Sequence, residues 1–370
     1  MENQKYDVAA YIWPAFTGDE PRARIFWPEG IGEWQSVKNA VKKAPDHDWP
    51  RKPLWGFVNE ADPYVMEMEI NAAADHGVNV FIYDWYWFDH RPFLEQCLNN
   101  GYLHARNNGR VKFYLMWANH TFTTLCDIRT SDPEIPIWDG AVGRGEFERI
   151  ALRMIRKYFR LANYYTISGK PVLMIYDVPN LIRGLGGLKQ TRAALDWFRE
   201  QAVLAGLSGL HLQMVLWNEM PITVCEGGEN HKVSVYKVVS ELGFDSITNY
   251  QMASIAYPVN GRDYGVQIDL ARKAWKSIDS HSPVPYFPHV SIGWDNNPRF
   301  LKYRPNILRG NTPEKVEQAL RMAKAYADVH LAQSSLITLN SWNEWTESSY
   351  LEPDDLNGYA FLDAVKRVFL

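Results

Sequence analysis

Residues 336–353 read Leu-Ile-Thr-Leu-Asn-Ser-Trp-Asn-Glu-Trp-Thr-Glu-Ser-Ser-Tyr-Leu-Glu-Pro. Leu336 to Leu339 form a short apolar, partly β-branched run, the pattern of a strand buried on both faces. Polar residues end it abruptly, and Glu344 and Glu347 follow three positions apart, with Trp342 and Asn343 before them and Trp345 between. Two carboxyls held together at the end of a buried strand and walled by indoles suit sugar chemistry, in which one delivers a proton to a leaving oxygen while the other stays ionised. An isolated Glu-x-x-Glu more often caps a turn and meets solvent. The strand before this one and the tryptophans around it favour the catalytic reading.

Upstream of this strand the same grammar repeats. Strands are expected at 6–14, 79–88, 112–119, 171–178, 211–217, 246–251 and 286–292, with 336–339 as the eighth. Helices are expected at 64–76, 92–106, 145–165, 190–205, 233–242, 264–280 and 313–333, and 358–369 closes the chain. Gly77 stands in a helix-stop position, while Thr312 and Pro313 supply a cap and a first turn. Strict alternation of eight pairs predicts an α/β fold, a single (β/α)8 TIM barrel over residues 1–370. A doubly wound sheet would want a phosphate-binding glycine turn after an early strand. The glycine cluster at 184–187 is late and fits neither nucleotide fingerprint.

Barrel enzymes work at the carboxyl ends of their strands. In chain order this sequence places there Trp13; Asp84, Trp85, Tyr86 and Trp87; Trp117, Asn119 and His120; Tyr176 and Asp177; Trp217, Asn218 and Glu219; Asn249, Tyr250 and Gln251; His289, Trp294 and Asp295. Glu344 and Glu347, with Trp342, Asn343 and Trp345, complete the ring. Polar or aromatic groups at every end predict a crater that binds carbohydrate, its rings taken by aromatic faces and its hydroxyls by carboxylates and amides. The connections after the first and third strands, 14–63 and 119–143, are too long to be mere links. With Trp27, Trp34, Trp49, Trp55 and Trp138 they are read as walls of a cleft.

Composition excludes other classes. A chain with 46% hydrophobic residues and net charge -4 can bury a large core and offers no basic surface for nucleic acid. Cys97, Cys126 and Cys225 are odd in number and lack metal-like spacing, so neither a disulfide framework nor a metal or other cofactor is expected. No apolar run approaches a membrane span, and residues 1–6 lack the apolar region of a leader. The chain reads as soluble, cytoplasmic as it stands or periplasmic or secreted if a leader has been removed, with carbohydrate as its partner and no obligate protein partner evident.

The segment from Ser341 to Glu347, continuing through Tyr350, Leu351, Glu352 and Pro353 to Gly358 and Tyr359, resembles the C-terminal block of the glycoside hydrolase family 99-like, or WbsX-like, proteins. The stretch from Gly293 to Arg299 is similar to a second block, and Trp117-Ala118-Asn119 with Tyr83 to Phe88 to earlier ones. The resemblance implies a (β/α)8 barrel and no metal. It also implies the activity of retaining endo-α-mannosidases, with a base at Glu344 and an acid/base at Glu347. In that scheme the base deprotonates the sugar's own 2-hydroxyl, which attacks C1 to give a 1,2-anhydro intermediate that water opens. Two other function classes are open. WbsX-like proteins have been named glycosyltransferases, which would require a nucleotide-sugar site, and the chain is read as having neither an Asp-x-Asp metal motif nor a phosphate loop; a non-catalytic carbohydrate binder would keep the tryptophans without needing both glutamates.

Overall fold

The computed structural model describes residues 5–226 and 228–370; residues 1–4, part of the stretch inspected for a leader, lie outside them. Parallel strands β1 (Asp7–Ile12), β2 (Val80–Phe88), β3 (Lys112–Trp117), β4 (Lys170–Ile175), β5 (His211–Val215) and β6 (Ser246–Thr248) pair in that order. β7 comes in two pieces, Tyr286–Phe287 and His289–Ser291, and β8 is Leu336–Asn340. Pro288 divides β7 because it has no N–H to give to a ladder. The first piece pairs with β6 and the second with β8, which pairs in turn with β1. The nine parallel segments make a nearly closed barrel, in agreement with the expected architecture.

Period-two alternation decides which side chains can meet a substrate. On β2, Tyr83, Trp85 and Trp87 bond outward to Met66, Glu95 and Glu146, whereas Asp84 reaches Tyr250 across the barrel. The barrel interior holds a hydrogen-bonded polar plug. Tyr114 donates to Gln213 at 3.0 Å, Thr248 meets Thr338 at 2.8 Å, and His289 lies 2.9 Å from both Thr338 and Ser291. His289, expected at the strand end, is therefore interior. Burial pushes its imidazole down to about 3, so it is neutral.

Outer helices are α1 (Pro63–Asp75), α2 (Arg144–Met154), α3 (Leu188–Leu204), α4 (Val235–Leu242), α5 (Tyr264–His281), α6 (Pro313–Val329) and α7 (Ala360–Phe369). Asp62 and Thr312 cap α1 and α6 through their side chains, each followed by a proline in the first turn. The helix expected at 92–106 is instead a short strand, Arg91–Phe93, folded back on β2, followed by helical turns at Cys97–Gly101 and Tyr102–His104. The close approach of the Glu60 carbonyl, 2.1 Å from where a Cβ on Gly101 would stand, requires glycine at that turn. The glycine cluster also finds its role. Gly186, at φ +90°, ends an extra helix, Val178–Leu185, that Asp177 caps. A hairpin of Ile222–Glu226 and Glu229–Val233 precedes α4. Among the described residues no helix is long and apolar enough to cross a membrane.

Candidate active site

After β8 the chain turns through Asn343–Glu344, a single helical turn at Trp345–Glu347, and a return strand, Ser349–Tyr350. Ser341 pins this loop by accepting from the Glu344 amide at 2.7 Å and donating to the Ser349 carbonyl at 2.6 Å. Ser348 takes φ +51° to close the turn. Both catalytic candidates thereby point to one buried cation. Arg299 donates through Nη1 to Glu347 at 2.7 Å and through Nη2 to Glu344 at 3.2 Å, while its Nε reaches Glu33 at 3.3 Å. Arg299 is 5% exposed and Glu33 is fully buried, so three carboxylates share one guanidinium away from water. Burial alone would lower the Arg299 pKa, but the surrounding carboxylates overcome it and hold the group protonated.

Tyr250 lies opposite, its hydroxyl 3.1 Å from Glu344 and 3.3 Å from Asp84. Burial raises Asp84 well above the usual carboxylate range despite the Tyr250 bond, and Glu347 adds to the effect. Burial also raises both glutamates. Glu344 also feels Glu347 as a like charge, while Arg299 opposes the rise at both, with its closer bond to Glu347. The pair therefore holds a proton more readily than two free carboxylates would.

Linkage gives this a consequence for stability. The native state holds the Glu344 proton more tightly than the unfolded chain, so the carboxyl's contribution is complete below its ordinary value of 4.5. It is lost as pH rises through the folded value. Thermal denaturation across pH 4 to 9 should show Glu344→Gln gaining on the wild type as pH rises, with a slope difference approaching one proton. Parallel curves would remove the burial effect from Glu344.

A cleft of about 190 Å³ opens over Glu347, lined also by Tyr176, Trp217, Tyr250, Gln251, Trp294 and residues around Tyr257. With roughly 30 Å³ per water it has room for about six, on the scale of a sugar ring. Among the described residues, no hydrogen-bond partner meets the buried Glu347 Oε2 and Asp84 Oδ1 atoms or the indole N–H of Trp294. Unused buried polar atoms are costly unless a ligand meets them.

Glu344, Glu347, Asp84, Tyr176, Trp217, Tyr250 and Trp294 are thus brought together. Trp13 joins them through its indole bond to Glu33, and His120 packs on Tyr176 and Tyr86 at ring separations of 5.2 and 5.7 Å. Other expected contacts are spent elsewhere. The indoles of Trp85 and Trp87 go to Glu95 and Glu146, and Trp117 packs outward on Phe147. Trp342 and Trp345 turn to Glu69 and Glu352. Asn119 clamps the Asp177 backbone, Asn249 bridges the Leu216 carbonyl to Tyr286, and Asn343 spans the Trp13 backbone and Glu60. Asp295 pairs with His47 at 2.7 Å and lines a neighbouring concavity of about 240 Å³ rather than the cleft. Their hydrogen bonds hold the site's shape.

Sequence reasoning missed Arg299 and Glu33. Arg299 stood inside a recognised block, yet nothing local shows that its fork meets three carboxylates. Glu33 is one acid in a long loop. That loop does serve the site, but through Glu33 and His47; Trp27 and Trp34 are buried and give their indole N–H groups to the Cys126 and Val58 carbonyls. Contrary to the expected absence of an Asp-x-Asp metal motif, that spacing occurs at Asp46-His47-Asp48, where Asp46 is paired with Arg309 at 2.8 Å.

Architecture and neighbours agree that this is a TIM barrel of the kind found in glycoside hydrolases. It is similar to a solved glycoside hydrolase-like protein (TM-score 0.63, 13% identity, covering 100% of this chain and 95% of that one). It is also similar to the GH99 endo-alpha-mannosidase from Bacteroides thetaiotaomicron (TM-score 0.57, 13% identity, covering 98% and 95%). The profile of the family described as Glycosyltransferase WbsX matches residues 8–365, and the chain belongs to that family. A curated relative, the uncharacterized protein WxcX of Xanthomonas campestris pv. campestris, is 26% identical over 378 residues, covering 97% of this chain and 49% of that one. The chain thus spans about half the length of the curated relatives it matches.

Proposed function

We propose that this protein is a retaining glycoside hydrolase acting on a polysaccharide or glycan, with an α-mannoside-like linkage as the best-fitting substrate. The observation that carries the reading is the seating of Glu344 and Glu347 on the single buried fork of Arg299, under a cleft lined by Tyr176, Trp217, Tyr250 and Trp294. Two carboxyls on one guanidinium are close together, as retaining chemistry requires and as inverting chemistry, which must fit a water between them, does not. Glu347 opens on the cleft with an unpartnered oxygen, so it is the group placed to protonate the leaving oxygen and later to activate water. Glu344, held by Tyr250 and Arg299, is the base for the sugar's 2-hydroxyl. This assignment requires the pair's shared proton to sit on Glu347 when substrate is bound.

A transferase reading is favoured by the family's description and by the Asp-x-Asp spacing beside the cleft. The two readings separate in one experiment. Glycans and aryl glycosides are incubated with and without nucleotide sugar and divalent metal, and the first product's anomeric configuration is followed by NMR. Hydrolysis with retained configuration and no dependence on either addition is expected. Turnover only with a nucleotide-sugar donor would establish transfer instead, and glycan binding without turnover would leave a binding site.

A further inference from the structure

Behind the loop that carries Glu344 lies a second acidic cluster, and it is built differently from the first. Glu60 from the long loop after β1, Glu69 from α1 and Glu352 from beyond the Ser349–Tyr350 strand each bring a carboxylate oxygen within 4.8 Å of the others. Glu60 and Glu69 are fully buried and Glu352 is 3% exposed. Glu33, Glu344 and Glu347 share Arg299, but among the described residues no lysine, arginine or histidine forms an ion pair with these three. Their partners are neutral donors. Trp342 gives its indole N–H to Glu69 at 3.0 Å, Trp345 gives its own to Glu352, and Glu60 accepts from Asn343 at 2.9 Å and from Cys97 Sγ at 3.4 Å. Donors of this kind match ionised, accepting carboxylates. Independently, Glu69 Oε1 and Glu352 Oε1 are buried with no hydrogen-bond partner among the described residues.

Three buried carboxylates without a counter-charge, two of them with an oxygen unused, need a positive partner. We propose that Glu60, Glu69 and Glu352 bind one calcium ion, which anchors the loop carrying Glu344. Oxygen-only ligands select a hard cation. Calcium fits better than magnesium, because magnesium keeps several waters that so closed a site cannot hold. Calcium–oxygen distances of about 2.3 to 2.6 Å put oppositely placed ligands about 5 Å apart, in keeping with the spacing here, and three bidentate carboxylates supply the lower end of its coordination number. The consequence runs straight to the candidate active site. Trp342, Asn343 and Trp345, the side chains on either side of Glu344, each hang from one of the three carboxylates.

The test needs no substrate and does not rest on the glycosidase reading. Protein stripped with a chelator is titrated with calcium chloride by calorimetry, and its Tm is followed. One equivalent bound and a Tm raised by a few degrees are expected, since a ligand that binds only the native state stabilises it. Terbium, a luminescent stand-in for calcium, should be sensitised by Trp342 and Trp345 and displaced by calcium. Glu352→Gln, isosteric and one charge poorer, should weaken calcium binding at least ten-fold while its circular dichroism stays native. Should that variant misfold, the terbium signal in the wild-type protein decides alone. Absence of calcium binding and of terbium sensitisation would overturn the proposal and leave protons as the neutralising charge. Calcium binding unchanged in Glu352→Gln would overturn it too, by placing the ion elsewhere.

Discussion

Arg299→Met should cost about 3 to 5 kcal/mol of folding stability, the usual penalty for removing one partner from a buried ionic cluster. Methionine keeps much of the arginine's aliphatic volume, so the loss isolates charge and hydrogen bonding rather than a cavity. It strands Glu33, Glu344 and Glu347, which are 0%, 3% and 9% exposed and have no other cation bonded to them among the described residues. Denaturant unfolding should show a smaller deficit near pH 4 to 5 than at pH 8, because protonating the stranded glutamates removes the uncompensated charge. Arg299→Lys should recover only part of the loss, since one ammonium cannot reproduce a fork whose Nε, Nη1 and Nη2 each serve a different carboxylate. A deficit within about 1 kcal/mol at pH 8 would show the cluster to be neutral through protons.

Glu347→Gln should leave the barrel folded and lower turnover of unactivated glycosides by on the order of 10²-fold or more, the scale of general acid catalysis. The amide fills the same space and still accepts from Arg299, so binding should change less than turnover. Aryl glycosides with good leaving groups need little proton assistance and should lose less activity in the first step. Equal losses on both substrate kinds would take the acid role from Glu347. Such a result would point to Glu344 as the acid.

Much of the barrel was legible because it is written in local pattern. Eight largely apolar runs, alternating with helices whose caps and glycine stops can be read in place, define the order β1 to β8, and parallel strands buried on both faces are enriched in apolar residues. The pair Glu344 and Glu347 was legible for the same reason: both lie in one loop directly after a strand. Tertiary structure decided whatever depends on which way a side chain points or on partners distant in the chain. Trp85 and Asp84 are neighbours in sequence, yet the pleat sends one indole to Glu95 and the other side chain across the barrel to Tyr250. Arg299 meets Glu33 across 266 positions, and Glu60 meets Asn343 across 283. No spacing rule spans such distances, because loops between barrel strands are free in length and only closure of the ring brings their ends to one face. The sequence by itself determined a barrel with two glutamates at its mouth. Which tryptophans face the cleft, and which cation the glutamates share, were settled by the pleat of β2 and by the long loops after β1 and β7.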